Sequence, residues 1–157
     1  MNTEKKQEFT RRISQANSTD MVIVIYDIAI TYIDEAKEAF ETSDRTALDS
    51  SIIHIRKSIN ELIASLNYEY SPAGEMLQLY IYCSRRLTAL SSANDAGALD
   101  EVRSILFRLR EAYVRIADTN KSGPIMSNSE SVYAGLTYGR GTLNENIVGN
   151  TNRGFLA

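Results

Sequence analysis

The sequence predicts an all-α fold: an antiparallel four-helix bundle with a short N-terminal helical segment before it and a mobile C-terminal tail after it. Four segments place apolar residues at spacings of three or four, which is the period of a helix that buries one face. The only two prolines are Pro72, between the second and third segments, and Pro124, after the fourth, so neither interrupts a helix. Short connections between helices of similar length favour up-down-up-down packing.

The N-terminal segment is predicted to be a lid, meaning a helix that covers a binding surface. Residues 3–14 are strongly charged, but Phe9 and Ile13 are four residues apart and therefore share one face of a helix. Such a segment can lay a narrow apolar strip on a larger body. The predicted division of the chain is a lid segment (1–16), a four-helix bundle (17–118) and a flexible tail (119–157). Within the tail, the segment VYAGLTYGRGTLNENI (132–147) resembles a linker less than its surroundings do, but no function is assigned to it.

The first bundle helix is predicted over residues 18–42. Its β-branched first half, MVIVIY, would favour a strand by propensity alone. However, Asn17 and Asp20 have the spacing of a capping box, and the segment is long. Its expected core stripe is Val22, Ile25, Ala29, Ile33, Ala36 and Phe40. Length and period therefore indicate a helix.

The other three bundle helices follow the same rule, each with its own stripe of aliphatic residues. Their predicted ranges are 45–67, 72–92 and 96–118. Before the third helix, Ser71 is expected to cap the helix and Pro72 to occupy its first position. At about 1.5 Å of rise per residue all four helices are similar in length, so they can pack side by side.

Composition and charge exclude several classes of partner and location. Seventeen Lys and Arg against 20 Asp and Glu leave a net charge of −3, so we expect no binding to nucleic acid. The longest apolar run, residues 21–26, is much shorter than the roughly 18 residues of a membrane span, and the N-terminus lacks a signal-like apolar stretch. We therefore expect no membrane insertion. The single cysteine, Cys83, suits a reducing compartment, so the expected location is cytoplasmic.

The sequence predicts no catalytic residue, no metal site and no cofactor. A di-iron bundle needs Glu-x-x-His pairs that project into its core, whereas this chain has one histidine and no such pair. Cys83 lies on the apolar stripe of the third helix, where a free cysteine usually behaves as a small buried hydrophobe. We therefore expect that the protein is not an enzyme.

The alternative function is that of a histidine phosphotransfer domain using His54 and Lys57. His54 is expected to face solvent, with Lys57 three residues later and the small Ser58 four residues later. Histidine phosphotransfer domains are also four-helix bundles, and they resemble this arrangement of an exposed histidine, a lysine that offsets phosphate charge and a small residue that admits the partner. That family has glycine where Ser58 stands, and a His-x-x-Lys spacing is common by chance.

Several apolar residues lie off the predicted core stripes. Phe107 and Val114 are seven apart on one flank of the fourth helix, Ile23 and Ile30 are seven apart on the first, and Ile53 lies on the second. Such stripes can form a groove for an amphipathic helix. They can equally be covered by the lid, by the tail or by a second copy of the chain, so a homodimer remains an alternative.

The order of several motifs resembles the FliS family of flagellar secretion chaperones. The likeness covers about residues 13–116 and consists of MVIVIYDIAITYIDEAKEAF, INELIASLNYE, LYIYCSRRL followed by AN at 93–94, and LDEVRSILFRLREAY. Residues at the spacings of the family are Tyr26, Asp27, Ser65, Leu66, Arg85, Arg86 and the stretch 99–113. The departures are Asn67 for the usual aspartate, Tyr113 for the usual tryptophan, and QANST for Thr-Ala-Ser-Pro.

The resemblance implies a cytoplasmic export chaperone without ATPase activity. Its expected client is the disordered C-terminal region of flagellin, which it would protect from premature polymerisation and keep competent for flagellar type III export. Export-gate components or a regulatory partner are further partners to consider. Because the N-terminal segment of the family lies near the client groove, the lid is expected to be displaced by the client. The groove residues expected from the resemblance and from the off-core stripes are Phe9, Ile13, Tyr26, Tyr82, Phe107 and Val114.

Overall fold

Five helices make up the part of the chain that the structure describes. The computed structural model describes residues 1–93, 95, 97–119 and 123. The helices are α1 (Thr3–Gln15), α2 (Ser18–Glu41), α3 (Arg45–Ala64), α4 (Ala73–Ala93) and α5 (Gly97–Ala117). These residues contain no strand, and the prediction of an all-α helical bundle is confirmed.

The four long helices, α2 to α5, form an antiparallel ring. α3 and α5 pack on two sides of α2, while α4 packs on α5 and more sparsely on α3. Two ion pairs fix the direction of α5 on α2, since Asp27 pairs with Arg110 and Asp34 pairs with Arg103. Positions therefore rise along α2 as they fall along α5, which is the arrangement expected for up-down-up-down connections.

The ends of the helices lie close to their predicted positions, with two differences. α3 ends at Ala64 and not at 67, and the chain turns before α4. α4 begins at Ala73, and the Pro72 carbonyl accepts the bond from the Met76 N–H at 3.0 Å. Pro72 therefore precedes the first helical position, and the predicted roles of Ser71 and Pro72 are wrong by one residue. The capping box of Asn17 and Asp20 is confirmed.

The core lies between the four long helices and is almost entirely aliphatic. Tyr26 of α2 and Tyr80 of α4 are buried at its centre, and their hydroxyls form a hydrogen bond across the bundle. Cys83 is fully buried beside them, as its place on the apolar stripe predicted, and burial raises the pKa of its thiol to about 12. The largest buried aliphatic residues are Ile33, Ile55, Ile59, Leu62, Leu87, Leu90, Leu99 and Leu106.

The predicted core stripe of α2 is wrong at two positions. Tyr26, with 0% of its surface exposed, and Ala39 face the core, whereas Ile25 and Phe40 are only partly buried. The observed stripe is Val22, Tyr26, Ala29, Ile33, Ala36 and Ala39. Its spacings of three or four residues keep all six on one face of the helix.

Some predictions concern residues that the structure does not describe. Apart from Thr119 and Gly123, the predicted tail 119–157, including the segment 132–147, lies outside the described residues. Asn94 of the family motif lies outside them as well. Among the helices that are described, none combines the length and the apolar character that crossing a membrane requires.

Candidate functional site

α1 lies against the outside of the bundle. Among the described helices it packs closely against α2 alone, and none of its residues is fully buried. Arg12, near the end of α1, pairs with Asp27 of α2, and the amino group of Met1 pairs with Glu35 further along α2. α1 therefore runs antiparallel to α2 on the surface of a bundle whose core closes without it.

Asp27 connects three helices through two arginines. Its Oδ2 accepts a hydrogen bond from Arg12 of α1 at 2.7 Å, and its Oδ1 accepts one from Arg110 of α5. The exposed fractions of the side chains are 16% for Asp27, 32% for Arg12 and 25% for Arg110. The bond to Asp27 is the main cause that raises the pKa of Arg110. Because Asp27 is shielded from water, its charge-assisted hydrogen bonds to the two arginines are stronger than the same bonds would be on a fully exposed surface.

Apolar residues of α2 lie beneath α1. Ile23 and Val24 are buried, yet they are not part of the continuous core cluster of the bundle. With Arg11, Arg12 and other residues they line an open cleft of about 230 Å³ between α1 and α2. The burial of Ile23, which the sequence placed off the core, therefore depends on α1.

The inner face of α1 is amphipathic and matches this strip. Phe9 and Ile13 are both partly buried, and the Arg12 guanidinium lies 5.7 Å from the centre of the Phe9 ring, within the range of a cation–π contact. α1 thus presents an aromatic, a basic and an aliphatic side chain within two turns. The basic one contacts the Asp27 carboxylate.

α5 adds apolar surface next to the Asp27 pair. Phe107 and Val114 are three and four residues from Arg110, and this spacing places all three on one face of the helix, the face from which Arg110 reaches α2. Phe107 is 44% exposed and Val114 is partly buried. We call the surface formed by these elements the α1 seam: Phe9, Arg12, Ile13, Ile23, Val24, Asp27, Phe107, Arg110 and Val114.

Comparison with known families decides what kind of protein this is. A family model described as flagellar protein FliS matches residues 1–120 of the 157. The chain belongs to the FliS family. FliS proteins are chaperones of flagellum biogenesis and secretion, so the predicted family and its chaperone role are confirmed. The match contains α1 as well as the bundle. A search of curated proteins found no match.

In this FliS-family chain, four of the six expected groove residues, Phe9, Ile13, Phe107 and Val114, lie on the α1 seam. The other two lie elsewhere. Tyr26 is fully buried in the core, so it offers no exposed surface to a partner. Tyr82 is 44% exposed on the side of α4 that faces α5, where its hydroxyl donates to Glu101 at 3.0 Å. Phe9 and Ile13 thus lie on α1 and Phe107 and Val114 on α5, and the Asp27 carboxylate links the two helices through Arg12 and Arg110.

Sequence reasoning did not identify the ion pairs at the centre of the α1 seam. Asp27 matched the FliS pattern, but neither Arg12 nor Arg110 was expected to contact it. One local signal was available: Asp27 is the only charged residue within the run MVIVIYDIAI. A lone carboxylate on the flank of an apolar helix needs a cation or a hydrogen-bond donor nearby, but its partner could not be deduced from the sequence.

The FliS-family bundle gives no support to phosphotransfer at His54. The His54 ring is stacked on Tyr32, with 4.3 Å between ring centres and 8° between ring planes. Ser58, which was expected to admit a partner domain, is 6% exposed and donates its hydroxyl to the His54 carbonyl at 3.1 Å. Within the described ranges, no group of three or more His, Cys, Asp or Glu side chains is placed to hold a metal ion.

Proposed function

We propose that this protein binds the disordered C-terminal region of flagellin in the cytoplasm, prevents its premature polymerisation and keeps it competent for flagellar type III export. It acts by holding the client and not by catalysing a reaction. The observation that supports this most is the α1 seam, where a strip of apolar residues outside the core is covered by a helix that contributes nothing fully buried. A surface of this kind can exchange one amphipathic helix for another.

α1 has the properties of a lid that the client displaces. It covers Ile23 and Val24, and among the described residues two ion pairs join this segment to the bundle, one from Arg12 and one from the amino group of Met1. An isolated helix of 13 residues is only marginally stable in water, so α1 should lose most of its helical structure when it is displaced, and the chain entropy that it regains offsets part of the cost of displacement. The client helix would then contact Ile23 and Val24 on α2 together with Phe107 and Val114 on α5.

The energetics suit a reversible complex. A disordered client must pay an ordering cost of about 2 to 5 kcal/mol when it folds on the chaperone, and it must also displace α1. Both costs reduce the affinity that the buried apolar area would otherwise supply. The client is therefore held firmly enough to stay covered and weakly enough to be released at the export machinery.

Binding of flagellin to the purified full-length chain tests the proposal. Full-length flagellin should give a soluble one-to-one or higher complex in size-exclusion chromatography, and flagellin without its C-terminal region should give none. A complex that survives this truncation would show that the client region is wrong. Sedimentation of the chaperone alone, over a range of concentrations, shows whether the chain forms a dimer in the absence of client.

A matched pair of variants tests whether the α1 seam is the binding surface. Phe107→Ala should weaken flagellin binding about tenfold, because truncation of a central aromatic side chain usually costs more than 1 kcal/mol. Ile53→Ala, at an apolar residue of α3 that is 65% exposed, should leave the affinity unchanged. Equal affinities for the two variants would place the client elsewhere. Tyr82→Ala then tests the expected contact on the α4 and α5 side.

A further inference from the structure

We infer that Asp27 is an acceptor used in turn by α1 and by the client: the client helix that replaces α1 places a basic residue on the Asp27 carboxylate where Arg12 now lies. This inference rests on the proposed function, because it requires the client to occupy the α1 seam. It adds a requirement on the client's chemistry. The client segment must be an amphipathic helix with a lysine or arginine on the edge of its apolar face.

The charges of the two helices support a basic occupant. α1 has four basic and two acidic side chains, a net charge of +2, whereas α2 has one basic and six acidic side chains, a net charge of −5. α5 offsets two of these acidic side chains, since Arg110 pairs with Asp27 and Arg103 pairs with Asp34. The surface that α1 covers therefore remains acidic, and complementary charge favours a positive helix at this place.

The geometry at Asp27 makes the requirement specific. Arg110 contacts Oδ1 and Arg12 contacts Oδ2. When α1 leaves, Arg110 remains, so the carboxylate keeps one cation while Oδ2 loses its partner. A wholly apolar helix in the place of α1 would cover Oδ2 without a donor, and covering an unpaired acceptor is costly. A helix with a lysine or arginine at that point would restore the bond, so Asp27 selects between clients of equal hydrophobicity.

α1 itself shows the pattern that such a client should have. Phe9, Arg12 and Ile13 give an aromatic residue, a basic residue three positions later and an aliphatic residue one position after that. These spacings place all three on adjoining parts of one helix face. The Arg12 guanidinium also lies over the Phe9 ring, which shields the ion pair from one side. We therefore expect an apolar-x-x-basic-apolar pattern in the client segment.

A double-mutant cycle distinguishes a shared acceptor from a residue that only holds the lid. The measurement is equilibrium binding of the C-terminal flagellin peptide to the full-length chain. Arg12→Gln should release α1 and tighten binding severalfold. In that background, Asp27→Asn should weaken binding about tenfold, the effect of losing one charge-assisted bond. If Asp27 only holds α1, the second change will have no effect once Arg12 is gone, and the inference is overturned.

Asp34→Asn in the same Arg12→Gln background is the matched control. Asp34 lies seven residues after Asp27 on α2 and pairs with Arg103 of α5 at 2.7 Å. None of the hydrogen bonds and ion pairs found among the described residues joins it to α1. The Asp34→Asn variant therefore measures how much client affinity is lost when an ion pair between α2 and α5 is broken while Asp27 stays intact. Binding by this control should stay within about twofold of its background. A loss as large as that of Asp27→Asn would overturn the inference.

The client side of the pair provides a second measurement, in which the flagellin peptide is altered as well as the chaperone. Each basic residue of the flagellin peptide is replaced by glutamine in turn. One replacement should weaken binding to the Arg12→Gln chain about as much as Asp27→Asn does, and it should add nothing when Asp27 is already changed. Additive losses at every basic residue would overturn the inference. If the unaltered peptide does not bind the wild-type chain at all, the proposed function itself fails.

Discussion

Tyr26 and Asp27 are neighbours in the sequence but belong to two regions with different physical properties. Tyr26 faces the core and forms a hydrogen bond with Tyr80 from the helix diagonally opposite. Asp27, 100° further around α2, faces the α1 seam and binds Arg12 and Arg110. In the core both partners are fully enclosed. In the seam one of the two cations comes from a helix that has no buried residue.

This difference separates what keeps the bundle folded from what can be exchanged. A buried aliphatic side chain is packed against neighbours on several helices, so its removal leaves a cavity that the surroundings cannot fill. A side chain of α1 is packed on one side only, and water replaces what it loses. The core should therefore determine global stability, whereas α1 should open locally at a much lower free energy.

The largest expected effect is a direct contrast between truncations in the two regions. Ile33→Ala, at a core residue that is 0% exposed, should lower the free energy of unfolding by about 2 to 5 kcal/mol. Ile13→Ala, at a partly buried residue of α1, should lower it by less than about 1 kcal/mol. Both values come from urea unfolding followed by circular dichroism. Amide hydrogen exchange in residues 3–15 should rank the two variants the other way: Ile13→Ala should speed exchange there more than Ile33→Ala does. Similar losses of global stability would mean that α1 is part of the cooperative fold.

The second prediction uses alkaline pH to test the core alone. Burial raises the pKa of Tyr26 and of Tyr80 well above their usual value. Below the pKa of an unfolded tyrosine, about 10, both tyrosines are protonated in the folded and the unfolded state, so this pair leaves the free energy of unfolding unchanged. Above it the unfolded chain loses protons that the folded chain retains. The free energy of unfolding should therefore fall by about 1.4 kcal/mol per pH unit for each tyrosine.

Phenylalanine variants show whether the tyrosine pair causes this slope. The double variant Tyr26→Phe/Tyr80→Phe removes both hydroxyls together and leaves no unpaired partner, so it should fold and should lose most of the decline above pH 10. Any remaining slope comes from other shielded groups such as Cys83. Tyr68→Phe, at a residue that is 63% exposed, removes a hydroxyl without touching the core and is the matched control. An unchanged slope in the double variant would show that the pair opens to solvent before the bundle unfolds.

Helix positions could be predicted from the sequence because each depends on local signals. The stripes from Leu48 and from Leu99 repeat every three or four residues, and the capping box of Asn17 and Asp20 marks the start of α2. The least local choice was wrong: periodicity favoured Ile25 for the core, but Tyr26 faces it. Both side chains fit the local pattern, and the choice is decided by Tyr80, which is 54 residues away.

The candidate site was predictable only as a set of apolar residues. Phe9 and Ile13 stood out as the apolar strip of a charged segment, and Phe107 and Val114 stood out because they fall on a helix flank. In the structure the first pair lies on α1 and the second on α5, and both helices bind Asp27 of α2. The charges at its centre could not be paired from the sequence, because Asp27 and Arg110 are 83 residues apart. With 17 basic residues in the chain, spacing alone cannot identify which of them approach one carboxylate.

The smallest expected effect concerns the turn between α2 and α3, which belongs to the fold and not to the seam. Two hydrogen bonds close α2: the Asp44 N–H donates to the Ala39 carbonyl at 2.8 Å, and the Ser43 N–H donates to the Phe40 carbonyl at 3.2 Å. This pattern puts Ser43 in the left-handed region, with φ at 57°, where glycine is favoured. Ser43→Gly should therefore raise the free energy of unfolding by about 0.5 to 1 kcal/mol and the melting temperature by about 1 to 4 °C.

The control for this prediction is α1. Neither of the two hydrogen bonds that close the turn involves a residue of α1, so hydrogen exchange in residues 3–15 and the affinity for the client should not change. A gain in global stability that also slowed exchange in α1 would show that the two regions are energetically coupled.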